Sequence, residues 1–482
     1  MNAPDPGTGP SPHLAPLDLA CIGIGPYNLS LAALAQPLSG LRTAAFDQRP
    51  APAPRAAPAA EDGTRHVPFL DDLVTLADPT SRYSYLNYLR VHERLVPFRL
   101  AEQLHTSRSE YEDYCRWVST ELTAASAPDS LEPATGLHYG HQIDAVRWNQ
   151  DRALFELDYT RLDQDGEADA LGRACARHLT LGTGAAPHVP EALRPLVETP
   201  AVPVVHAADF AEHREHLLTV RHITVVGSGQ SGAEVFLDLL RHRPAGAENL
   251  HWLTRSPAFT PAERGTLGRE HLTPEYQRYF RELSEQTRER LLPRHRQLHK
   301  GVDHDTLTAI HRELHRRTLG GGRPRAVLTP AVLVRAAGLL GTTRIELHLE
   351  HTEQEERTRL TTDAVVLATG YRQRPLDRLL AALDPWLRRD AAHSPRVDDR
   401  HRVALDPAVT GSIHLHDAPQ HTRAAGPGHG VAAHRSAEIL NALTGRNPYP
   451  LPERTAFTTF GLRQPAPDRP AASVDLRPLT AS

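Results

Sequence analysis

Two short glycine-rich stretches, far apart in the chain, have the residue types and spacing of loops that cradle a pyrophosphate. The first glycine of such a loop permits a tight turn, the second lets the backbone approach the phosphates, and the third position allows close helix packing. The amide groups at the start of that helix then face the phosphates. The two stretches are Gly23-Ile24-Gly25-Pro26-Tyr27-Asn28 and Gly227-Ser228-Gly229-Gln230-Ser231-Gly232.

Each stretch is followed by a residue that favours one kind of nucleotide. Asp47 ends the strand after the first turn, where a carboxylate accepts hydrogen bonds from ribose hydroxyls. After the second turn the matching strand ends in Thr254-Arg255, without an acid. A carboxylate there would repel a 2′-phosphate, whereas the Arg255 guanidinium can bind one with two hydrogen bonds. The second site therefore favours NADPH over NADH, with a surface arginine beside a structural turn as the alternative.

The elements that must position these residues alternate between strand and helix, which predicts an α/β fold. Leu17–Gly25 and His222–Gly229 are apolar runs that end in glycine and precede helical stretches. Two such units predict two Rossmann-like dinucleotide-binding domains. Thr273–Leu319 has helical character and is too long to be the crossover connection of a βαβ unit. It therefore predicts a small helical substrate domain inserted in the second unit. Gly320–Arg325 ends it, because Gly and Pro break helices.

The order of these elements predicts a discontinuous first domain with the second one inserted into it. Both ends of the chain are rich in Pro, Ala and Gly and have no apolar periodicity, which indicates flexible tails. The predicted boundaries are 1–16 and 462–482 for the tails, 17–215 and 340–461 for the first domain, and 216–340 for the second, with its insert at about 262–325.

The composition of the chain argues against several classes of function. The 482 residues suffice for two or three domains, and 54 basic against 58 acidic residues give no electrostatic footprint for nucleic acid. The 29 histidines are scattered, so we assign no metal. No apolar run approaches the ~20 residues of a membrane helix, and the N-terminus lacks the features of a signal peptide. We expect a cytoplasmic protein without a membrane partner.

The order of the two sites is that of flavoproteins that bind FAD first and NAD(P)H second. Disulfide reductases share this layout but need a redox-active cysteine pair. Cys21, Cys115 and Cys175 are far apart and form no CxxC pair. A monooxygenase or an oxidase remains.

Several further stretches resemble one enzyme family in the same order along the chain. They are Val67–Leu89, Glu110–Val118, Leu181–Pro190, Ile223–Phe236, Thr273–Phe280, Ala368–Arg372, His434–Leu443 and Pro452–Gly461. The chain resembles, over residues 17–461, the microbial N-hydroxylating flavin monooxygenases that act on lysine, ornithine or diamines for hydroxamate siderophores. The resemblance implies FAD and NADPH as cofactors, a primary amine and molecular oxygen as small-molecule partners, and a dimer or tetramer.

The resemblance also implies the chemistry. NADPH reduces the flavin, oxygen forms a C4a-hydroperoxyflavin, and the uncharged amine attacks it, so no catalytic triad is expected. The family pattern places the Asp363 strand, with Thr369, Gly370 and Tyr371 after it, against the flavin; a buried strand ending in a turn is the simpler interpretation.

The charge of one residue predicts which amine is the substrate. Ornithine- and lysine-directed members of the family carry Lys in the stretch that reads Phe69-Leu70-Asp71-Asp72-Leu73 here. Asp71 stands in its place and would repel a carboxylate and attract a second ammonium. Glu263 and Glu270 lie in a stretch that resembles the diamine-directed branch. We therefore favour cadaverine or putrescine over lysine, with ornithine third; Asp71 as a solvated loop acid remains open.

The sequence departs from the family in three places. A Pro/Ala loop replaces the usual segment at 50–63, and Arg65-His66 replaces a Met-Gln pair, which leaves His66 as the candidate flavin contact. The stretch His421–Gly430 also differs beside the expected flavin site. These departures keep two rival functions open: an NADPH oxidase that releases hydrogen peroxide, and a non-catalytic flavoprotein.

Overall fold

The computed structural model describes residues 15–52, 67–102, 104–125, 135–199, 202–262, 265–390, 393–398, 400–416 and 430–462. Its strands are β1 (Leu17–Ile22), β2 (Thr43–Asp47), β3 (Val67–Pro68), β4 (His105–Thr106), β5 (Thr135–Tyr139), β6 (His141–Asn149), β7 (Leu154–Leu162), β8 (Ala168–Leu181), β9 (Ala185–Pro187), β10 (Val204–His206), β11 (Ile223–Val226), β12 (Leu250–Leu253), β13 (Ala326–Thr329), β14 (Val332–Leu340), β15 (Arg344–His351), β16 (Glu356–Thr362), β17 (Ala364–Leu367), β18 (Tyr371–Gln373) and β19 (Ser412–Leu415).

Its helices, apart from short 3-10 turns, are α1 (Pro26–Ala35), α2 (Tyr85–Val91), α3 (Leu95–Leu100), α4 (Arg108–Ala125), α5 (Arg194–Val197), α6 (Phe210–Thr219), α7 (Gln230–His242), α8 (Thr266–Arg269), α9 (Pro274–Glu282), α10 (Glu285–Lys300), α11 (His304–Arg316) and α12 (Gly430–Thr444). None of these helices is long and apolar enough to span a membrane.

The first sheet is built around β1. Within the described ranges it has seven strands in the order β5-β2-β1-β8-β7-β6, with β19 added to β8. Strand β1 pairs in parallel with β2 and β8. Its alternate residues pack into two different hydrophobic cores. Leu19 and Cys21 pack with α1, α4 and α12, whereas Ala20 and Ile22 pack on the opposite face of the sheet. Both faces are covered, which explains why the buried part of β1, 19–22, is continuously apolar.

The second sheet is parallel throughout and has the order β10-β17-β11-β12-β13. Strand β17 lies between β10 and β11, with Ile223 opposite Ala364. The predicted boundaries at 215 and 340 are therefore wrong, because β10 precedes the first and β17 follows the second. Strand β17, an interior strand of this sheet, lies in the segment 340–461 that the sequence predicts for the first domain.

The two sheets are joined by a narrow link. The chain leaves the first sheet after β8 through β9 and returns after β17 through β18, and these short strands pair with each other in antiparallel register. Between them, β14, β15 and β16 form a separate antiparallel sheet. The helices α8 to α11 occupy the chain between β12 and β13, where the sequence indicates a helical insert.

Candidate functional site

The first glycine turn is shaped by close backbone packing. Gly23 follows β1 with φ +89, and a Cβ atom on it would lie 2.4 Å from the carbonyl oxygen of Gly182, at the end of β8. Only glycine fits both the left-handed conformation and the contact. Pro26 occupies the first turn of α1, where a fixed φ suits the helix. The turn therefore brings the start of α1 to the carboxyl edge of the sheet.

Asn28, at the third position of this turn, is buried and holds the turn in shape. Its side-chain nitrogen donates to the carbonyl oxygens of Ile22 and Gly23, at 3.1 and 2.7 Å. Its side-chain oxygen accepts from Thr180 Oγ1 on β8 at 2.9 Å. The side chain is thus engaged with protein groups and positions the backbone of the turn.

Asp47 ends β2 at the same edge, as the sequence predicts. Its carboxylate accepts a hydrogen bond from the Ile24 amide at 2.8 Å and two from the guanidinium of Arg49, at 2.9 and 2.8 Å. Burial raises the pKa of this carboxyl, but the hydrogen bonds and charge of Arg49 outweigh burial and hold the pKa below its usual value. An ionised acceptor beside the first glycine turn is suited to ribose hydroxyls, with Arg49 as a neighbour that the sequence analysis missed.

The second glycine turn repeats this construction. Gly227 follows β11 with φ +122, and a Cβ atom on it would lie 2.2 Å from the carbonyl oxygen of Ala368, at the end of β17. A Cβ atom on Gly232 would lie 2.3 Å from the Gly227 carbonyl oxygen, so helix α7 packs directly on the turn. Gly182 and Ala368 thus have the same structural role, because the carbonyl oxygen of each packs against the first glycine of one turn. The repeated Thr-Gly that follows each of them is a signal from which both could have been found.

Both helices that follow these turns begin without a side-chain cap. Gly25 and Gly229 are their N-cap residues, with nearly equal backbone angles (φ −91, ψ 175 and φ −81, ψ 177), and neither first turn contains an acid. No described atom lies within 4 Å of a Cβ atom placed on either glycine. By contrast, α2, α9, α10 and α11 are capped by Ser84, Thr273, Ser284 and Asp303. Open, uncapped amide groups fit a pyrophosphate at each turn.

The other predicted residues of the second site divide into two groups. Arg255 is exposed at the carboxyl end of β12, and Ser231 lies in the first turn of α7. Gln230 instead connects α7 to the insert, since its oxygen accepts from the Asp303 amide at 2.7 Å and its nitrogen donates to Thr306 Oγ1 at 3.1 Å. Gln230 therefore links the nucleotide turn to the helical insert.

Thr369, Gly370 and Tyr371 lie beside the second turn and the interdomain link. They follow β17, which pairs with β11 in the second sheet, and their contact with the flavin stays a prediction. The Gly370 carbonyl oxygen accepts from the His188 amide at 2.8 Å and lies 3.1 Å from His206 Nε2. Thr369 Oγ1 donates to the His188 carbonyl oxygen. The three residues thus connect the nucleotide sheet to β9 and β18.

Asp71 and Asp72 have different environments. Asp72 is buried, and its carboxylate accepts from the amides of Val74, Thr75 and Tyr85 at 2.9, 2.6 and 2.7 Å, which makes it a structural acid. Asp71 is half-buried, and no hydrogen bond to its carboxylate occurs within the described ranges. Burial and the neighbouring Asp72 raise the pKa of Asp71, and the positive charge of Arg269 on α8 partly opposes them. An acid and an arginine from the insert therefore lie near each other.

Ser30 joins the elements around Asp71. Its hydroxyl donates to the Leu73 carbonyl oxygen at 2.5 Å, and its oxygen lies 3.1 Å from Ser436 Oγ on α12. Helix α1, the segment that contains Asp71, and α12 therefore converge beside the first glycine turn. The sequence analysis assigned no role to Ser30.

Glu270 joins the insert to the segment after α12. Its two carboxylate oxygens accept from the amides of Phe457 and Thr458, at 3.0 and 2.9 Å, and so anchor that segment to the insert. Its substrate contact stays a prediction, and each oxygen keeps a second lone pair for it. Glu263 and His66, and with them most of the divergent stretches at 50–66 and 421–430, lie outside the described residues.

Comparison with known proteins agrees with a protein that has two glycine turns, each followed by a helix. The family described as L-lysine 6-monooxygenase/L-ornithine 5-monooxygenase matches residues 15–373. Putrescine N-hydroxylase of Shewanella oneidensis is 34% identical over 448 residues, which cover 92% of this chain and 84% of the relative. L-lysine N6-monooxygenase of Escherichia coli is 30% identical over 437 residues, 90% of this chain and 96% of the relative.

The solved structures agree on the fold. The FAD-bound cadaverine monooxygenase of Erwinia amylovora superposes with a TM-score of 0.82 and 29% identity, and the match covers 94% of this chain and 100% of that one. The predicted α/β fold and the resemblance seen in the sequence are both confirmed. The chain belongs to the L-lysine 6-monooxygenase/L-ornithine 5-monooxygenase family of N-hydroxylating monooxygenases.

Proposed function

We propose that this protein uses FAD and NADPH to hydroxylate one primary amine of a small diamine, cadaverine or putrescine. The observation that carries the proposal is the pair of uncapped glycine turns, alike in backbone angles and each open in front of its N-cap glycine. FAD at the first turn and NADPH at the second is the arrangement that the family relationship supports, and the FAD-bound relative supports the first assignment.

Bound FAD, once reduced by NADPH, supplies the oxygen-activating chemistry. The protein's part is to hold the nucleotides and present the amine. Gly23 and Asn28 shape the first turn, and Asp47 offers an ionised acceptor for the ribose. Arg255 is the candidate partner for a 2′-phosphate, because it is exposed at the end of β12.

Asp71 is the proposed anchor for the amine that does not react. An alkylamine has a pKa near ~10.4, so about one molecule in a thousand is neutral at pH 7, a cost of roughly 4 kcal/mol for the reacting nitrogen. Holding the far ammonium by charge at Asp71 leaves the other end free to lie in a drier place, where desolvation lowers the amine pKa. The relatives named for putrescine and cadaverine support a diamine.

L-lysine is the second candidate, and Arg269 is the observation that favours it. An arginine near Asp71 could bind the carboxylate of an amino acid while Asp71 binds its α-ammonium. The balance of charge at this position therefore decides between the two substrates. For either one we propose a role in hydroxamate siderophore biosynthesis, in line with relatives named for rhizobactin and alcaligin. The three free cysteines suit a reducing cytoplasm.

The test is turnover by the FAD-loaded protein with NADPH and each amine in turn: cadaverine, putrescine, lysine and ornithine. We expect hydroxylamine product with a diamine. Product with lysine alone would replace the diamine by the second candidate. Hydrogen peroxide without hydroxylamine, whichever amine is added, would show an NADPH oxidase and contradict the proposal.

A further inference from the structure

A groove rich in positive charge lies between α9 of the insert and α12 of the first domain. Its cavity has a volume of about 240 Å³. Among the described residues, its charged lining consists of one carboxylate, Glu438, and four guanidinium groups, Arg278, Arg281, Arg400 and Arg435. This lining carries an excess of positive charge.

The inner wall of the groove brings two of these guanidinium groups together. Arg281 Nη2 lies 3.3 and 3.4 Å from the two ring nitrogens of His401, and Arg435 Nε donates to His401 Nε2 at 3.1 Å. His401 is 3% exposed and Arg435 is 2% exposed. Because His401 Nε2 accepts from Arg435, that nitrogen carries no proton. Arg435 Nη1 also donates to the His416 carbonyl oxygen, so contacts within the protein hold both guanidinium groups at the wall of the groove.

His401 is held in an unusual backbone conformation. Its φ of +59 lies in the left-handed region, which side chains other than glycine seldom adopt. The loop around it is closed by the Asp398 carboxylate, which accepts from the amides of Arg400 and Arg402 at 2.9 Å each. Such conformations are retained where the surrounding structure enforces them, and they cluster at ligand sites.

His434 adds a polar group to the opposite wall. The residue is 7% exposed, and its Nε2 atom is buried without a hydrogen-bond partner among the described residues. Burial, together with the charges of Arg278 and Arg435, lowers the pKa of His434 to about 4, so the ring is neutral at pH 7. A neutral imidazole ring can donate one hydrogen bond. Leaving a buried ring nitrogen without a hydrogen-bond partner costs free energy.

We propose that this groove binds a small organic anion that carries carboxylate or phosphate groups. A guanidinium group binds a carboxylate or a phosphate with two parallel hydrogen bonds. Four guanidinium groups line this groove, which is large enough for several oxyanion groups. The site is distinct from the proposed diamine site at Asp71, because four arginines would repel an ammonium. Arg435 also lies over the ring of Tyr27, in the first turn of α1, 5.4 Å from its centre. The anion would therefore bind beside the first nucleotide turn without needing the amine.

The test is isothermal titration calorimetry on the FAD-loaded protein with citrate, succinate, phosphate and pyrophosphate as separate probes. Chloride at equal ionic strength is the control for non-specific screening. We expect saturable binding of at least one probe, and the better class distinguishes a carboxylate from a phosphate ligand. The Arg278→Gln/Arg281→Gln double variant should bind about tenfold or more weakly, because it loses charge-assisted hydrogen bonds. Arg290→Gln, an exposed arginine on α10, should bind as the wild type does.

A second variant keeps the test decisive if the double variant does not fold. Arg400→Gln changes an exposed loop residue that lines the groove and should weaken binding several-fold. Three results would overturn the proposal: no saturable binding of any probe at millimolar concentration, equal affinity in Arg400→Gln and the wild type, or binding to the FAD-free protein that the FAD-loaded protein does not show. The last would mean that the groove is part of the flavin site.

Discussion

Asn28 and Thr180 join the first glycine turn to a strand 152 residues away, with Thr180 Oγ1 donating to Asn28 Oδ1 at 2.9 Å. The same amide group donates to the carbonyl oxygens of Ile22 and Gly23. A third glycine in this position would allow close packing, whereas asparagine connects three backbone segments directly. Asn28 thus positions the turn from within the protein.

We expect Asn28→Ala to weaken FAD binding and to lower stability. The change removes three hydrogen bonds and leaves two buried carbonyl oxygens and one hydroxyl without this partner, at about 1 kcal/mol each. The free energy of unfolding should fall by about 3 kcal/mol, measured by urea unfolding, and the FAD dissociation constant should rise in a fluorescence titration. Asn87→Ala, on the exposed surface of α2, is the control. Equal FAD affinity in both variants would contradict a positioning role for Asn28.

The glycine turns could be predicted because their sequence pattern is local. Strand, turn and helix are consecutive, at 17–35 and 223–242, and their backbone geometry requires glycine at Gly23 and Gly227. The Thr-Gly pairs after β8 and β17 were just as visible, and a search for repeats would have found them. These parts of the site follow from short-range chemistry.

The remaining parts depend on pairing between distant segments, which a local pattern does not encode. Strand β17 lies beside β11, although Ile223 and its partner Ala364 are separated by five strands and the whole insert. Glu270 looks like a pocket acid in sequence, but the amides that it binds are 187 and 188 residues away. Arg49 is the exception, because it lies only two residues after Asp47 and could have been foreseen.

The two N-cap glycines allow a matched pair of substitutions. Gly25→Ala should fold normally, because its φ of −91 suits alanine and no described atom lies within 4 Å of the new methyl group. The methyl group would occupy the space proposed for a pyrophosphate. We expect at least about a tenfold loss of FAD affinity from displaced phosphate contacts, with little change in the KM for NADPH.

Gly229→Ala is the counterpart at the second turn and should reverse this pattern. FAD content should match that of the wild type, and the KM for NADPH should rise about tenfold or more, for the same physical reason. Flavin absorbance of the purified protein and initial rates of NADPH oxidation measure the two effects. If both variants lost the same cofactor, the assignment of one nucleotide to each turn would be wrong.

Asp71→Lys should change which amine is used. Two unit charges ~4 Å apart at an effective dielectric of ~20 interact by about 4 kcal/mol, and partial exposure reduces this value. We expect kcat/KM for the diamine to fall at least about tenfold and kcat/KM for lysine to rise. Asp151→Lys, an exposed acid in the β6–β7 turn, controls for net charge. An unchanged ratio of the two kcat/KM values would remove Asp71 from substrate selection.

Arg255→Gln should reduce the preference for NADPH over NADH. The variant keeps a hydrogen-bond donor but loses the charge and the two-pronged geometry that suit a 2′-phosphate. We expect the KM for NADPH to rise about tenfold while the KM for NADH stays the same, both from rates of flavin reduction. Arg323→Gln, exposed after the insert, is the control. A parallel rise with both nucleotides would point to a general structural effect.

Buried histidines predict that stability falls in mild acid. His414 is 2% exposed, and burial lowers its pKa from 6.5 to about 4. Between these pH values the unfolded chain binds a proton that the folded protein does not. The contribution to stability is therefore complete above pH 6.5 and is lost as the pH falls towards 4, on the order of 3 kcal/mol.

The variant His414→Gln tests the sign of this effect, because it removes the titrating ring from its contact with Ser412 Oγ, 3.0 Å from His414 Nε2. Losing that contact should lower stability at pH 7 by about 1 kcal/mol. The slope of stability against pH should nevertheless become shallower than in the wild type, so the two curves of stability against pH should cross below pH 6.5, and the variant should be the more stable protein as the pH approaches 4. Urea unfolding at a series of pH values measures the slope, with His315→Gln, which removes an exposed histidine of α11, as the control. A slope that His414→Gln leaves unchanged would mean that His414 is protonated equally in the folded and unfolded protein, and its burial would then have no part in the acid sensitivity.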